Sequence, residues 1–493
     1  MNKVNNVFKS FSEKIFIEDS ISHQKISYKN FFIQAYTLSR YLKKIGIKNK
    51  SEVLVISENS FFKIIFFFSS LFNNYNLILL DNNQKKKIIK KFIDQSKAEH
   101  IFFDKINLKK FKKKNLKSEY FIVSKDFKKK LSLDHIVQNQ EQKNFIKYIK
   151  SNSFSLTSPF ITILTSGTTG EPKGIVHSIQ TLINSAENFN KFNKIKSNCI
   201  FAHFFSMNYM AGILNSIISP FIAGGKIVLL KQFNSLSGLN FWELAIKYNI
   251  NYFWASPTML NLIINLNRYK YFKNYIKNKF KKAFIGTGYF PSQQKKNSKQ
   301  IFNNKIFESY GTTEDLFISC DDKKSPNFSC GKVLPKVKIK LSKSKNILVK
   351  SNSKNIGIYD FKKKKIIKTN KIWRDTQDVG KKENDYIFIL GRDKDLIIKG
   401  GKNIYPIIIE NLIYTEKNIK QVAVVGLKND LYGEEIVIFY NTHKKVNLKV
   451  FENKLKRICE KHLSTDYKPD KIIFTKKFQT TISGKIKKKL LIN

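Results

Sequence analysis

Apolar positions in the first 150 residues follow helical and strand spacings in turn. Residues 30–45 carry apolar side chains every three to four positions, which predicts an amphipathic helix. A β-branched run at 53–57 predicts a strand, followed by a helix over 60–72 and a strand over 77–80. This alternation predicts a parallel sheet with helices on its faces. The lysine-rich stretch 105–130 is expected to be solvated surface between elements.

The alternation continues through residues 151–310. The predicted elements are a strand at 160–164, helical spacing from Ile179 to Phe189, a helix over 211–223, a strand at 226–230, a helix near 240–248, and strands at 252–255, 282–285 and 305–311. Polar loops at 164–174, 286–288 and 308–314 follow predicted strands. Ligands of open parallel sheets bind outside the carboxyl ends of the strands, so these loops are expected to converge on one site.

The spacing of apolar residues changes beyond about residue 330. Residues 336–341 alternate strictly, and 346–350 and 386–390 have the pattern of further short strands. This predicts a small β-rich subdomain with one solvated face. After residue 391, the pattern predicts a helix at 407–415, strands at 421–426 and 435–440, a helix at 448–462 and a strand at 471–475.

The whole pattern predicts an α/β fold with two domains. A chain of 493 residues is too long for one core. Residues 1–390 are expected to form a large N-terminal domain of parallel-type sheets with helices plus the β-rich subdomain. Residues 391–493 are expected to form a small, mobile α+β C-terminal domain, with a hinge near 391–395.

The formal net charge of +53 first suggests a protein that binds polyanions. However, only five of the 90 basic residues are arginines, which leaves 85 lysines, and these are dispersed along the chain. Abundant Lys, Asn, Ile and Phe are typical of an AT-rich genome. Proteins that recognise nucleic-acid bases commonly use arginine side chains, which are scarce here. Nucleic-acid recognition is therefore not expected to be the main function.

Cysteine usage and hydropathy favour a soluble protein of a reducing cytoplasm. The four cysteines show neither CxxC spacing nor a dense framework. The N-terminus lacks the apolar core of a signal peptide. The most membrane-like stretch, 61–81, is interrupted by Lys63 and by polar residues at 73–76, so no transmembrane segment is expected.

The stretch 164–178, LTSGTTGEPKGIVHS, is the strongest candidate for chemistry. Glycines let backbone N–H groups approach a ligand closely, hydroxyls add donors, and Lys173 adds a charge, so the stretch suits polyphosphate. It is not the P-loop of nucleotide hydrolases, because Lys173 follows Pro172 and precedes Gly174. It is predicted to be a loop between a strand and a helix.

This stretch resembles the phosphate-binding signature of the adenylate-forming superfamily, which includes acyl-CoA synthetases, peptide-synthetase adenylation domains and luciferases. The resemblance implies that the loop binds the β- and γ-phosphates of ATP. The implied ligand residues are Thr165, Ser166, Gly167, Thr168, Thr169, Gly170 and Lys173, with Thr168 also counted as catalytic.

A second motif, YGTTE, occupies residues 310–314. A carboxylate at a strand end suits Mg²⁺ bound to phosphate oxygens, although Thr and Glu at this spacing also begin helices. In the family this motif orders ATP and its metal, so Glu314 is the implied Mg²⁺ ligand. The other nucleotide residues implied here are Gly286, Thr287, Gly288, Ser309, Tyr310, Gly311, Thr312 and Thr313.

Two further motifs complete the nucleotide site and hinge. WRDTQDVG at 373–380 resembles the family's ribose motif; Asp378 would bind the ribose, and Gln377 replaces the usual glycine. The stretch 391–406 resembles the interdomain hinge of acyl-CoA synthetases. There the resemblance implies Arg392 as a ribose or phosphate ligand and Lys394 as the pivot. The implied path of the thiol runs past Lys399, Gly400 and Gly401.

The C-terminal sequence TTISGKI at 480–486 resembles the motif whose lysine stabilises charge during adenylation, which points to Lys485. After the phosphate loop, the family carries an aromatic residue or His near the adenylate, and here Tyr209 or Asn208 takes that place, with Gly212 nearby. No aspartate stands there to hold a substrate ammonium. The acid is therefore expected to be fatty, aryl or another small organic acid with an uncharged tail.

The resemblance implies an ATP-dependent enzyme that converts a carboxylic acid to acyl-AMP and transfers the acyl group to a thiol, with CoA as the expected acceptor. The implied cofactors are ATP, Mg²⁺ and CoA. One alternative acceptor is the phosphopantetheine of an acyl carrier protein. An alternative of another class is a polyanion-binding protein on a degenerate enzyme fold, which the presence of Glu314, Asp378, Arg392 and Lys485 disfavours.

Overall fold

This computed structural model describes residues 3–80, 82, 84, 86–111, 120–124, 130–133, 142–151, 155–165, 173–265, 272–480 and 486–492. The helices are α1 (Lys3–Phe11), α2 (Tyr28–Lys44), α3 (Phe61–Asn73), α4 (Lys86–Gln95), α5 (Lys105–Lys109), α6 (Gln142–Ser151), α7 (Ile179–Asn193), α8 (Ser219–Ala223), α9 (Ser235–Leu239), α10 (Phe241–Lys247), α11 (Pro257–Asn265), α12 (Lys273–Asn278), α13 (Ser292–Ile301), α14 (Pro406–Ile413) and α15 (Leu448–His462). A π-helix over Ala211–Ile218 leads into α8.

The strands alternate with these helices in the first half of the chain and dominate after residue 306. In chain order they are β1 (Ile15–Asp19), β2 (Lys25–Ser27), β3 (Glu52–Ile56), β4 (Asn76–Leu79), β5 (His100–Asp104), β6 (Tyr120–Ser124), β7 (Lys130–Ser132), β8 (Pro159–Thr165), β9 (Lys173–Ser178), β10 (Ile200–His203), β11 (Lys226–Leu229), β12 (Tyr252–Ala255), β13 (Lys282–Ile285), β14 (Ile306–Thr312), β15 (Leu316–Cys320), β16 (Lys332–Val333), β17 (Val337–Leu341), β18 (Asn346–Ser351), β19 (Gly357–Asp360), β20 (Lys365–Lys368), β21 (Arg374–Glu383), β22 (Tyr386–Arg392), β23 (Ile397–Lys399), β24 (Lys402–Ile404), β25 (Ile419–Asn429), β26 (Gly433–Thr442) and β27 (Lys471–Phe474).

The chain packs as two compact units. Unit 1 comprises residues 1–254, 312–317 and 351–371, and unit 2 comprises residues 255–311, 318–350 and 372–493. The two units are defined by packing and do not test the predicted domain boundary at residue 391, which stays a prediction.

Unit 1 contains a nine-stranded sheet of order β20-β19-β9-β8-β4-β3-β5-β6-β7. Its centre is parallel, because β8, β4, β3 and β5 run in the same direction, and its flanks are antiparallel. A further set of strands in this unit has the order β12-β10-β11-β1-β2 and is parallel except for β2. The parallel sheet expected from the strand–helix alternation is confirmed.

Unit 2 carries the β-rich part of the chain. Its strands follow the order β17-β18-β21-β22-β16-β15-β14-β13, in which β13 and β14 are parallel. Strand β17 alternates between buried and exposed residues, as its sequence predicts for a strand with one solvated face. Residues beyond 396 form a five-stranded sheet, β24-β23-β26-β25 with β27 on β26, covered by α14 and α15. The predicted α/β fold class is confirmed.

Two predicted loops are largely strand. Residues 173–178 form β9, which pairs with β8 and β19, so the glycine-rich stretch joins two antiparallel strands and the helix begins only at Ile179. The reason is that Ile175 and Val176 are β-branched and become buried between two strands. Strand β14 similarly extends to Thr312, which leaves only a turn of the predicted loop 308–314.

The stretch 105–130, which was predicted to be solvated surface, also contains a buried strand. Residues 120–124 form β6 in the nine-stranded sheet, where Phe121, Ile122 and Val123 are buried. A short apolar run between lysines is enough for an antiparallel strand near a sheet edge.

The core of unit 1 includes a cluster of aromatic rings. The Phe68 ring on α3 lies 5.0 Å from that of Phe31 and 4.9 Å from that of Phe221, and it also contacts Phe16 and Phe32. Helix α3 is therefore a core helix. No helix in the described parts of the chain has both the length and the apolar character that a bilayer span requires.

Phe68→Ala is expected to reduce the free energy of unfolding by about 3–5 kcal/mol, because it removes a buried ring and leaves a cavity. Guanidinium-induced unfolding measures the change. Phe328→Ala is the matched control, since Phe328 is 67% exposed and its loss should change stability by less than about 0.5 kcal/mol. Equal effects of the two substitutions would contradict this packing.

Candidate nucleotide site

Three of the sequence-predicted nucleotide residues lie together in unit 2. Asp378 on β21 is paired with Arg392 at the end of β22. The Asp378 carboxylate is buried; its Oδ2 accepts a hydrogen bond of 2.7 Å from the Tyr310 hydroxyl, and its Oδ1 lies 3.1 Å from Nε of Arg392. About half of the Arg392 side chain is exposed. A carboxylate, a phenol and a guanidinium thus meet at one point.

The Tyr310 phenol acts as a donor in this contact. Burial, and after it the neighbouring Asp378 carboxylate, raise the pKa of Tyr310 well above its usual value. The hydroxyl therefore stays protonated at neutral pH, and Asp378 keeps its role as acceptor.

The backbone before Asp378 adopts a conformation that usually requires glycine. Gln377 has φ +61°, in the left-handed region, which costs a residue with a side chain roughly 1–2 kcal/mol. Its N–H donates to Oδ1 of Asp375 at 2.7 Å, and the Asp378 N–H donates to Oγ1 of Thr376 at 3.2 Å. These contacts hold the turn, so replacement of the usual glycine by Gln377 preserves the local geometry.

The residues at 286–288 lie beside this group. Strands β13 and β14 are parallel with Ile285 opposite Glu308, so the loop after β13 neighbours Ser309 and Tyr310. Thr287 has φ +65°, which is rare for a β-branched residue. Its hydroxyl is buried and has no hydrogen-bond partner among the described residues. Such strain with an unused polar group is typical of a ligand site.

The Ser309 hydroxyl has a structural role. It donates to the carbonyl oxygen of Ser319 at 2.8 Å and so joins β14 to β15. Any contact of Ser309 with a nucleotide would therefore involve its backbone.

The turn at 312–315 is held within unit 1. The Thr312 Oγ1 accepts from the Asp315 N–H at 3.0 Å, and the Thr313 carbonyl accepts from Nε2 of the buried His177 at 2.8 Å. The Glu314 carbonyl accepts from the Asn355 N–H at 2.7 Å, and its side chain is half-buried. His177 lies inside the glycine-rich motif, but sequence reasoning gave it no role, since a lone histidine carries no positional signal.

Glu314 alone provides the predicted metal-binding carboxylate. Within the described residues no group of three or more His, Cys, Asp or Glu side chains could hold a metal ion. Mg²⁺ is commonly bound by one or two carboxylates together with phosphate oxygens and water, so a single glutamate fits that ion bound with a nucleotide.

Of the predicted phosphate loop, the structure describes Thr165 and Lys173. Ser166, Gly167, Thr168, Thr169, Gly170 and Lys485 lie outside the described residues. Thr165 and Lys173 are paired in register at the ends of β8 and β9.

The hinge glycines occupy a tight turn. Lys399 and Lys402 pair across β23 and β24, and Gly400 and Gly401 between them have φ +54° and +75°. A two-residue hairpin with two positive φ angles favours glycine at both positions, so the turn itself explains the pair. Lys399 binds Asp470 with Nζ–O distances of 2.6 and 2.7 Å. The thiol path past these residues stays a prediction.

Lys394 lies in a separate exposed turn, a single 3₁₀ turn over Asp393–Asp395. Its role as a pivot stays a prediction.

The acyl candidates differ in exposure. Asn208 is buried; its Oδ1 accepts from Nζ of the buried Lys63 at 2.8 Å, and its Nδ2 donates to Oδ1 of Asn82 at 3.1 Å. A Cβ on Gly212 would lie 2.1 Å from the Ser206 carbonyl oxygen, so this glycine permits close packing at the start of the π-helix. Tyr209 is 38% exposed, which makes it the better placed of the three to contact an acid.

Two family models match this chain. Residues 5–353 match the family described as AMP-binding enzyme, and residues 408–485 match the AMP-binding enzyme C-terminal domain. The chain therefore belongs to the AMP-binding enzyme family, which confirms the resemblance to adenylate-forming enzymes.

Curated relatives of this chain are CoA ligases. An oxalate–CoA ligase of Arabidopsis thaliana is 25% identical over 342 residues, 66% of each chain. A 2-succinylbenzoate–CoA ligase of Listeria monocytogenes is 28% identical over 336 residues, 66% of this chain and 68% of the relative. The chain spans just under two thirds of the length of the Arabidopsis relative.

Solved structures share the fold. ATP-bound MatB from Rhodopseudomonas palustris has a TM-score of 0.83 and 18% identity, over 100% of this chain and 98% of that one. The o-succinylbenzoate CoA synthetase of Bacillus subtilis, in complex with the acyl-adenylate intermediate OSB-AMP, has a TM-score of 0.82 and 17% identity over the same shares. At these identities the likeness shows the fold alone.

Asp378→Asn is expected to weaken ATP binding about 10- to 100-fold, because hydrogen bonds to a charged acceptor contribute roughly 1.5–3 kcal/mol. Isothermal titration with ATP measures the dissociation constant. Asp385→Asn is the control, since Asp385 lies at the turn of the same β21–β22 hairpin with a 63% exposed side chain. If both variants bind ATP as the wild type does, Asp378 is not a nucleotide ligand.

Proposed function

We propose that this chain is an ATP-dependent acid–thiol ligase that forms acyl-AMP and then an acyl thioester, with CoA as the acceptor. The observation that carries the proposal is the meeting of Tyr310, Asp378 and Arg392 around one buried carboxylate. Three separate motifs of the sequence supply these residues, and their convergence is what a nucleotide site of this family requires.

In the first half-reaction, a carboxylate oxygen of the acid attacks the α-phosphorus of ATP. The bond from the α-phosphorus to the bridging oxygen breaks, and pyrophosphate leaves. Asp378 accepts hydrogen bonds from the ribose hydroxyls while Arg392 and Tyr310 hold its carboxylate in place. Loop residues 165–173 bind the β- and γ-phosphates, so Lys173 stabilises the leaving group. Lys485 stabilises the charge that develops during attack.

Glu314 is the residue that would hold Mg²⁺, and the ion would offset the charge of the phosphate oxygens when bound. The hydrogen bonds from His177 and Asn355 to the backbone of the turn hold the segment that carries this carboxylate.

In the second half-reaction, the sulfur of a thiol attacks the acyl carbonyl carbon, and AMP leaves with the bonding electrons. We assign this step to a rearrangement of the C-terminal domain, 391–493, about Lys394. Domain closure of this kind lets one fold assemble two sites in succession.

The acid is assigned only by class. The relatives named above act on oxalate and 2-succinylbenzoate by name, and a further relative is named as a long chain fatty acid–CoA ligase. The absence of an aspartate near Tyr209 supports an acid without an ammonium group. We also propose a reducing cytoplasmic location, which the lack of CxxC spacing among the four cysteines supports.

Pyrophosphate release across a panel of fatty, aryl and dicarboxylic acids tests the proposal. Each acid is assayed alone, with CoA, and with a holo acyl carrier protein. Acid-dependent release with formation of an acyl-CoA is the expected result. Loading of the carrier protein without formation of acyl-CoA would identify phosphopantetheine as the acceptor. If no acid supports pyrophosphate release, the proposed ligase function is refuted.

Lys485→Ala is expected to slow adenylate formation by at least about 100-fold, because it removes a cation from the position of developing charge. The same variant should retain most of its rate when acyl-AMP and CoA are supplied. Lys489→Ala is a matched control from the same C-terminal run, where Lys489 is exposed. Normal adenylation by Lys485→Ala would refute the role of this lysine.

A further inference from the structure

A buried cluster of charges lies in unit 2, next to the nucleotide residues but outside every motif discussed above. Lys295 on α13 is 2% exposed. Its Nζ lies 2.8 Å from Oε2 of Glu308 and 2.9 Å from Oδ2 of Asp321, and it donates to the Ser329 carbonyl at 2.8 Å. One ammonium therefore joins α13, β14, the end of β15 and the following loop.

The cluster is balanced in charge. Lys299, one turn further along α13, lies 3.2 Å from Oδ2 of Asp321, so two lysines face the two carboxylates. The backbones are tied as well, since the Asp321 N–H donates to the Glu308 carbonyl at 2.7 Å and the Glu308 N–H donates to Oδ2 of Asp321 at 3.1 Å. Removing these charges from water costs several kcal/mol per ion, so stability alone does not account for the cluster.

The cluster includes a residue of β14, which carries Tyr310, and is linked through Cys330 to β22, which carries Arg392. Glu308 stands two residues before Tyr310 on β14. Cys330, whose thiol contacts Glu308, donates its N–H to the Ile387 carbonyl on β22 at 2.7 Å, and β22 ends at Arg392. A shift of the charged groups would therefore move Tyr310 and Arg392 relative to each other.

We propose that Lys295 is a positioning residue for ATP: through Glu308 and Asp321 it sets the distance between Tyr310 and Arg392 around Asp378. This rests on the proposed nucleotide site, which it extends by one residue that does not touch the ligand. Lys295 acts through the strands it ties together.

Removal of Lys295 has a defined electrostatic consequence. In Lys295→Met, Lys299 alone faces Glu308 and Asp321, with the Cys330 thiol and the Tyr289 phenol as the other titratable groups near Glu308. Burial raises the pKa of Glu308, and Lys295 is the first of the charges that oppose this shift. Without Lys295 that opposition is lost, so the pKa of Glu308 rises further, and ionisation of this carboxyl at higher pH opposes the native geometry.

The test compares ATP dissociation constants of the full chain for Lys295→Met, Glu308→Gln and the double variant. Each single substitution unbalances the cluster and is expected to weaken ATP binding about tenfold. The double substitution leaves Lys299 with Asp321 and is expected to restore binding to within about threefold of the wild type. Lys296→Met is the control, because Lys296 is exposed on the same helix and its loss should change nothing.

The pH profile separates positioning from a general loss of stability. For Lys295→Met, the binding defect should be larger at pH 8.5 than at pH 6, whereas a purely structural role would lower the melting temperature and leave the dissociation constant of the folded protein unchanged. Wild-type affinity in a folded single variant, or a double variant no better than the singles, overturns the proposal. If Lys295→Met does not fold, Glu308→Gln and the double variant decide. Failure of the wild type itself to bind ATP would instead remove the proposed function.

Discussion

The contact between Asp378 and its two partners, Tyr310 and Arg392, is the constraint on which the proposed nucleotide site depends. A buried carboxylate is tolerated only when its oxygens are satisfied, and here a phenol satisfies one oxygen and a guanidinium approaches the other. The pairing of Asp378 with Arg392 across β21 and β22 makes their distance a property of the sheet. Tyr310 must then reach them from β14. A ligand that binds Asp378 thus meets side chains already placed by strand register.

The buried acidic residues of this strongly basic protein are paired with local partners. The chain has 90 basic and 37 acidic residues, so a surface rich in lysine is unavoidable. The acidic groups Glu308, Asp321 and Asp378 are nevertheless buried in unit 2. Local pairing therefore governs the site, while the net positive field acts at longer range and favours the approach of polyanions such as ATP. Specific recognition of nucleic acid is not needed to account for the charge.

Much of the fold could be predicted from spacing alone, because helices such as α2 and α15 have clear apolar periodicity. The strands that the sequence analysis missed share a physical cause. Strand β9 was taken for a loop because glycine and hydroxyl residues dominate its neighbourhood, and strand β21 was missed because its sequence, RDTQDVGKKE, is polar. Both are held by pairing with neighbouring strands, and such long-range hydrogen bonds leave no local signal.

Motifs in the sequence singled out Asp378 and Arg392 as candidates, and the structure shows that the two side chains are in contact, while their nucleotide role stays a prediction. Lys295 could not be predicted, since among 85 lysines nothing in the sequence marks the one that becomes buried between two carboxylates. The same holds for His177, which supports the turn before Glu314 through one backbone contact.

The candidate acyl residues lie in segment 205–212, which is anchored within unit 1. Asn59 holds this segment through its backbone: its Nδ2 donates to the Phe205 carbonyl at 2.6 Å, and its Oδ1 accepts from the Met207 N–H at 2.7 Å. Lys63 binds Asn208 from the same side, while Tyr209 stays partly exposed. The anchors thus involve the backbone and the buried Asn208 side chain, whereas the more exposed Tyr209 is the better placed candidate to contact an acid.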